Sequence, residues 1–155
     1  MSRRGKPHDH LCILLADDDP DDRMLTQRAL KKSRLVNKLH MVEDGEELMR
    51  YLRREGEYAD PEAAPWPGLI LLDLNMPRKD GREALKEIKS DPNLRRIPVI
   101  VLTTSEAELD ILRSYDLGVN AFVTKPVTFD GLATAIQRLG EFWFEIVKLP
   151  NPANV

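Results

Sequence analysis

Short apolar runs alternate along the chain with stretches that have helical periodicity. The runs that predict strands are Cys12–Ala16, Leu39–Glu43, Leu69–Leu74, Ile97–Leu102 and Ala121–Val123. Most of these runs are apolar at nearly every position, which is typical of parallel strands buried on both faces of a sheet. The pattern therefore predicts five strands, each followed by a helix.

The predicted helices begin at capping residues. Asp19 and the proline after it form an N-cap and a first helical turn, and Asp44 with the glycine after it begins the second helix. Further helices are predicted over 81–90 and 106–115, and a last one begins near Thr128. Alternating strands and helices predict an α/β fold with a doubly wound parallel sheet of five strands.

One predicted connection is unusually long. Residues 56–68 contain three prolines and show no helical or strand period. A loop of this length can have a function or can be a surface insertion, and the sequence leaves both interpretations open.

Polar residues directly follow four of the apolar runs. Asp17 and Asp18 follow the first run, Asp73 lies near the end of the third, Thr103 follows the fourth and Lys125 lies two residues after the end of the fifth. Parallel strands place their carboxyl ends at one edge of the sheet, where such folds bind ligands. We therefore expect these side chains to share one crevice.

Three carboxylates in that crevice predict a bound cation. Asp17, Asp18 and Asp73 would raise one another's pKa values unless a cation neutralised them. Mg²⁺ fits best, because it is a hard ion that binds one or two carboxylates together with water and phosphate oxygens. The alternative is that the aspartates at 17–19 only cap a helix, which is the role that we expect of Asp19.

Asp73 is the predicted nucleophile. A carboxylate at the end of so apolar a strand is costly to bury without partners, and a cation and Lys125 would supply them. A carboxylate held in this way can form an aspartyl phosphate. The Thr103 hydroxyl and the Lys125 ammonium could both bind a phosphoryl group. The plainer alternatives are an Asp73–Lys125 salt bridge and a threonine that caps a helix.

Over residues 11–140 the chain resembles the receiver domain of two-component response regulators, such as the chemotaxis receiver. The resemblance rests on Asp17-Asp18, on Asp73 within Leu-Asp-Leu-Asn-Met-Pro-Arg-Lys-Asp-Gly, on Thr103, and on Lys125-Pro126. It implies a flavodoxin-like fold with strand order 2-1-3-4-5 and five helices. It also implies that Asp73 is the phospho-acceptor, and that the protein is a signalling acceptor rather than an enzyme, apart from slow self-dephosphorylation.

The resemblance further implies how Mg²⁺ is bound. Asp18 and Asp73 would bind it through their side chains, Asn75 through its backbone carbonyl and Asp17 through water.

The phosphoryl group and the switch are assigned in the same way. Thr103 and Lys125 would hold the phosphoryl oxygens, and the peptide bond between Lys125 and Pro126 would be cis. Thr103 would move toward the phosphoryl group and Phe122 would follow it inward. Tyrosine is frequent at that strand position, so Phe122 is a modest departure from the family pattern. Phe122 could instead be a core residue only.

Composition narrows the class of protein. The chain has 155 residues, which suits one domain, and its formal net charge of -3 gives no case for nucleic-acid binding. Its apolar runs are far shorter than the roughly 20 residues of a membrane span. Cys12 is the one cysteine, and a buried thiol suits a reducing compartment, so we expect a cytoplasmic protein. Residues 1–10 are predicted to be an N-terminal tail.

The C-terminal segment adds an apolar surface. Apolar residues recur at helical spacing, at Phe129, Leu132, Ile136, Leu139 and Trp143, and continue with Phe142, Phe144, Ile146 and Val147. One small domain cannot easily cover all of them, so we predict a homodimer through the C-terminal helix region, with 141–155 as its extension. The alternative is a tail that folds back onto its own domain.

The Glu-Phe-Trp-Phe segment at 141–144 and the loop at 56–68 are similar to small receivers that partner phytochrome-type histidine kinases. We therefore predict a stand-alone receiver that accepts a phosphoryl group from such a kinase, or from a phosphotransfer protein, and signals through protein contacts. No DNA-binding output domain is expected, because only about a dozen residues follow the receiver.

Two other functions use the same residues. An aspartate-nucleophile phosphohydrolase would need an acid two residues after Asp73, where this chain has Asn75. A binding module that works without phosphorylation would share the fold, since fold alone does not fix function.

Overall fold

One parallel sheet forms the centre of the molecule. The computed structural model describes residues 11–31, 36–104 and 121–138. Within them the strands are β1 (Leu11–Ala16), β2 (Val36–Val42), β3 (Leu69–Asp73), β4 (Val99–Thr103) and β5 (Ala121–Thr124). Their order is β2-β1-β3-β4-β5, and every neighbouring pair is parallel. The fold class and the strand order predicted from the sequence are confirmed.

Four α-helices connect or follow these strands in the described residues. They are α1 (Pro20–Lys31), α2 (Gly45–Arg53), α3 (Gly81–Ser90) and α4 (Phe129–Arg138). Aspartates cap the first three helices: the Asp19 carboxylate accepts a hydrogen bond from Asp21 N at 2.8 Å, Asp44 accepts from Glu47 N and Asp80 from Glu83 N. None of the helices in the described ranges has the length and apolar character that a bilayer span requires.

Several predictions fall on other parts of the chain. The tail at 1–10, the helix at 106–115 and the apolar segment after residue 138 all lie outside the described residues. The proposed domain limits and the predicted dimer surface therefore stay predictions.

Two apolar layers fix the sheet between the helices. Leu14, Leu72 and Leu85 belong to the layer that includes residues of α2 and α3, and they are fully buried. Leu71 and Leu132 belong to the opposite layer, which includes residues of α1 and α4. β3 and β4 are buried at every position, so their backbones are held from both faces of the sheet.

Two strands begin two or more residues away from the predicted start, and the other strand boundaries differ by one residue at most. β2 begins at Val36 rather than at Leu39, because it is an edge strand paired only with β1, and an exposed residue such as Lys38 can face solvent there. β4 begins at Val99 rather than at Ile97, because Ile97 N–H bonds to Leu94 O in the preceding turn.

Two tyrosines pack the long connection onto the domain. The Tyr51 hydroxyl donates a hydrogen bond to Pro65 O at 2.8 Å, and the Tyr58 hydroxyl donates to the Glu47 carboxylate. Tyr58 also lies on a short 3₁₀ helix, Gly56–Ala59, that the sequence did not predict. The connection is therefore anchored at both ends rather than extended into solvent.

Candidate functional site

The carboxyl ends of four strands bring the predicted residues to one edge of the sheet. Ala16 is in register with Leu72, Asp73 with Leu102, and Thr103 with Thr124. The residues that follow β1 and β5, together with Asp73 and Thr103 at the ends of β3 and β4, must therefore lie side by side.

Three carboxylates converge at this edge. One carboxylate oxygen from each of Asp17, Asp18 and Asp73 lies within 4.8 Å of the other two. Asp17 and Asp73 are buried, whereas Asp18 is exposed. Backbone N–H groups hold the two buried carboxylates: Asp19 N bonds to Asp17 Oδ1 at 3.0 Å and Asn75 N bonds to Asp73 Oδ1 at 3.1 Å. Their other oxygens are left for further partners.

The Lys125 ammonium lies among these acids. Its Nζ atom is 2.9 Å from Asp17 Oδ2 and 3.1 Å from Asp73 Oδ2. It also donates a hydrogen bond to Asp22 Oδ2 at 2.8 Å. The Lys125–Pro126 peptide bond is cis, as the resemblance implied.

Burial and charge shift the pKa values of this cluster. Burial raises the pKa of Asp73 to about 6; the Asn75 N–H and the Lys125 charge oppose the shift, and the Asp17 charge adds to it. Burial also raises the pKa of Asp17. Burial alone would lower the pKa of Lys125, but its hydrogen bond to Asp22 and the nearby negative charges of Asp17 and Asp73 raise it. The acid cluster therefore carries more negative charge than the single Lys125 ammonium neutralises.

The cluster fits a divalent cation. Asp17 Oδ2 is buried and accepts no aligned hydrogen bond from the described residues, although Lys125 Nζ is close to it. The Lys125 charge is the close partner of that oxygen, and a hard cation can take the same place beside it. Oxygen donors from carboxylates, with one carboxylate open to solvent, are the set that Mg²⁺ prefers.

Two residues in the first turn of α1 contact the site. Arg23 Nη1 donates a hydrogen bond to Asp17 O at 2.8 Å, which fixes the chain where β1 ends. Asp22, one residue earlier, binds Lys125. The sequence analysis missed both residues. No local signal in the sequence marks Asp22, because its partner Lys125 lies 103 residues further along the chain.

Thr103 and Phe122 occupy the two last strands. Thr103 is buried, with 1% of its surface exposed, and its carbonyl accepts a hydrogen bond from Lys125 N at 3.0 Å. Phe122 is in register with Val101, further back from the edge, and is half-buried against the apolar layer of α2 and α3. Thr103 is therefore at the site, and Phe122 is connected to it through the β4–β5 pair.

A family model described as the response regulator receiver domain matches residues 13–137. The chain belongs to the response regulator receiver family.

Similar receivers cover nearly the whole chain. Response regulator Rcp1 of Synechocystis sp. is 48% identical over 138 residues, which are 89% of this chain and 92% of that protein. The structure of the phosphorylated cyanobacterial phytochrome response regulator RcpA matches with a TM-score of 0.73 at 50% identity, over 92% of this chain and 99% of that one. The Mn²⁺-bound form of Rcp1 matches with a TM-score of 0.71 at 47% identity, over 91% of this chain and 99% of that one.

Receivers are signalling phospho-acceptors with a magnesium site in an acidic pocket, and the acid cluster of this chain fits such a pocket. In the structure, the side chains of Asp17, Asp18, Asp73 and Lys125 lie close together at the edge of the sheet.

Proposed function

We propose that Asp73 accepts the phosphoryl group from the phosphohistidine of a histidine kinase. The proposal is supported by the convergence of three carboxylates within 4.8 Å and by the position of Lys125 Nζ, 3.1 Å from Asp73 Oδ2. In the transfer, an Asp73 carboxylate oxygen attacks phosphorus and the phosphorus–nitrogen bond of the donor breaks. The electron pair of that bond stays on the histidine nitrogen.

The acid cluster is assigned to the cation. Magnesium, when bound, offsets the negative charge of the phosphoryl oxygens. We assign its ligands to the side chains of Asp18 and Asp73, to the backbone carbonyl of Asn75 and to water held by Asp17. The exposure of Asp18 supports this assignment, because it leaves the site open to solvent for the waters that Mg²⁺ retains.

Thr103 and Lys125 are assigned to the phosphoryl oxygens. Both lie at strand ends beside Asp73, and Lys125 already has its ammonium directed at that carboxylate. In the switch, Thr103 moves toward the phosphoryl group and Phe122 follows inward. Because phenylalanine has no hydroxyl, apolar burial favours the inward position of Phe122.

The relatives support the proposed partners. The 50% sequence identity to the phytochrome response regulator RcpA supports a phytochrome-type histidine kinase as the phosphoryl donor. A phosphotransfer protein is the alternative donor. A net charge of -3 supports signalling through protein contacts rather than nucleic acid. We also propose that the acyl phosphate hydrolyses slowly and that the chain forms a homodimer through its C-terminal helix region. The buried thiol of Cys12 suits the cytoplasmic location that we propose.

The decisive experiment is phosphorylation by acetyl phosphate. The purified chain is incubated with acetyl phosphate and Mg²⁺, and its intact mass is measured. We expect one phosphoryl adduct, absent from the Asp73→Asn variant and absent without Mg²⁺. The same samples are run in sedimentation velocity, where we expect a dimer. An adduct that persists in Asp73→Asn contradicts the assignment, and steady turnover of varied phosphate esters would indicate a hydrolase instead.

A further inference from the structure

The Lys125 ammonium has three N–H donors and three carboxylate neighbours. Two of these neighbours, Asp17 and Asp73, belong to the acid cluster, but the third, Asp22, does not. The contact with Asp22 is the shortest of the three, at 2.8 Å, and it has the alignment of a hydrogen bond. The Asp17 oxygen, in contrast, accepts no aligned hydrogen bond from the described residues.

Lys125 and a cation compete for the same oxygens. A divalent cation bound to the cluster attracts the carboxylates of Asp17 and Asp73 and repels the ammonium at close range. The Lys125 side chain is only 9% exposed, so it cannot move into solvent without rearrangement. An ammonium left buried without a carboxylate partner would be strongly unfavourable.

Asp22 gives Lys125 a carboxylate partner for which the cation does not compete, because Asp22 lies outside the acid cluster. Its side chain is 24% exposed, compared with 0% for Asp17 and 5% for Asp73. A carboxylate at the solvent side can keep the ammonium while Asp73 binds the cation directly and Asp17 holds one of its water ligands. Asp22 lies in the first turn of α1, whose start is fixed by the Asp19 cap.

We propose that Asp22 is a positioning residue that holds the Lys125 ammonium beside Asp73 when Mg²⁺ binds the acid cluster. The inference rests on the proposed function of Asp73, and it adds a residue outside the receiver motif. Without Asp22, Lys125 would bind Asp17 and Asp73 alone and would compete more strongly with Mg²⁺ for them. Mg²⁺ would then bind more weakly, and Lys125 would be poorly placed for the phosphoryl group.

Asp21 offers a matched control. It is the neighbouring aspartate in the same helical turn and is exposed, and its N–H bonds to the same Asp19 cap. Asp21→Ala therefore removes the same charge from the same turn without removing a Lys125 partner. Asp22→Asn, in addition, keeps an oxygen that can accept a hydrogen bond from Lys125 but removes the negative charge.

The test is the Mg²⁺ affinity, measured by amide chemical shifts in an NMR titration. We expect the dissociation constant to rise about tenfold in Asp22→Ala, because one charge-assisted hydrogen bond is lost. It should rise less in Asp22→Asn, and it should stay within about twofold of wild type in Asp21→Ala. The rate of phosphorylation by acetyl phosphate should fall in the same order.

A second background shows whether Asp22 acts through Lys125. In Lys125→Met, the Asp22→Ala change should alter Mg²⁺ affinity no more than Asp21→Ala does. The inference is overturned if Asp22→Ala behaves like Asp21→Ala in the wild-type background, or if its full effect persists in Lys125→Met. If Asp22→Ala does not fold, Asp22→Asn carries the same comparison. Mg²⁺ affinity is measured without phosphorylation, so failure of the acetyl phosphate reaction would contradict the proposed function and leave this test intact.

Discussion

Five aspartates lie between residues 17 and 22, and the structure gives them different tasks. Asp19 caps α1, Asp17 is buried in the acid cluster, Asp18 is its exposed member, and Asp22 binds Lys125. Sequence reasoning separated the cap from the cluster, because capping depends on near neighbours. It could not assign Asp22, because that role depends on a lysine 103 residues further along the chain.

At the residue scale, His40 should make stability depend on pH. Burial lowers the pKa of His40 below its ordinary 6.5, and the charge of Lys38 lowers it further. As the pH falls below 6.5, the unfolded chain binds a proton before the folded chain does, so the free energy of unfolding falls. We expect His40→Gln to remove this loss. Urea unfolding of both proteins at about pH 7.5 and about pH 5.5 measures it as a difference between them, because the raised pKa of Asp73 changes stability in the same pH range in both. An equal pH dependence in both proteins would contradict the assignment.

At the element scale, the sequence predicted best where local signals and burial agree. The bounds of α3 match the prediction, because Asp80 caps the helix and apolar residues at helical spacing face the sheet. The 3₁₀ helix at Gly56–Ala59 had no comparable signal. It is held by Tyr58 and by the bond from Tyr51 to Pro65, which are tertiary contacts. The edge strand β2 was misplaced for a related reason, since only its neighbour β1 defines its start.

The β3–α3 connection depends on a glycine. A Cβ atom on Gly81 would lie 2.2 Å from Asp73 O and 2.7 Å from Leu74 Cα, and both are backbone atoms of the strand end that carries the acceptor. We therefore expect Gly81→Ala to lower the free energy of unfolding by about 1–3 kcal/mol, as overpacking does, and to weaken Mg²⁺ binding by displacing Asp73. Urea unfolding and the NMR titration measure the two effects.

Gly131→Ala is the control for that change. Gly131 also lies at the start of a helix, α4, but its Cβ atom would meet only side-chain atoms, the nearest being Thr128 Oγ1 at 3.1 Å. It should have a smaller effect on stability and none on Mg²⁺ affinity. Equal effects at both glycines would show that the close approach to Asp73 is not what matters.

At the scale of the whole molecule, two apolar layers stabilise an arrangement that the site itself opposes. β3 and β4 are buried along their entire length, and they hold Asp73 and Thr103 at the sheet edge. The carboxylates of Asp17 and Asp73 are buried there at a cost in free energy, which is why their pKa values are raised. A ligand that relieves this cost must bind the folded chain more tightly than the unfolded one, so site and fold are thermodynamically coupled.

Mg²⁺ should therefore stabilise the folded chain, by about 2.7 kcal/mol when free Mg²⁺ is about 100 times its dissociation constant. Thermal unfolding with Mg²⁺ and with a chelator measures the rise in Tm. Asp18→Asn should leave the metal-free Tm nearly unchanged, because Asp18 is exposed, but should reduce the rise. NaCl at equal ionic strength is the control, since salt also screens repulsion. If NaCl gives the same rise, or Asp18→Asn keeps all of it, the cation does not act at the acid cluster.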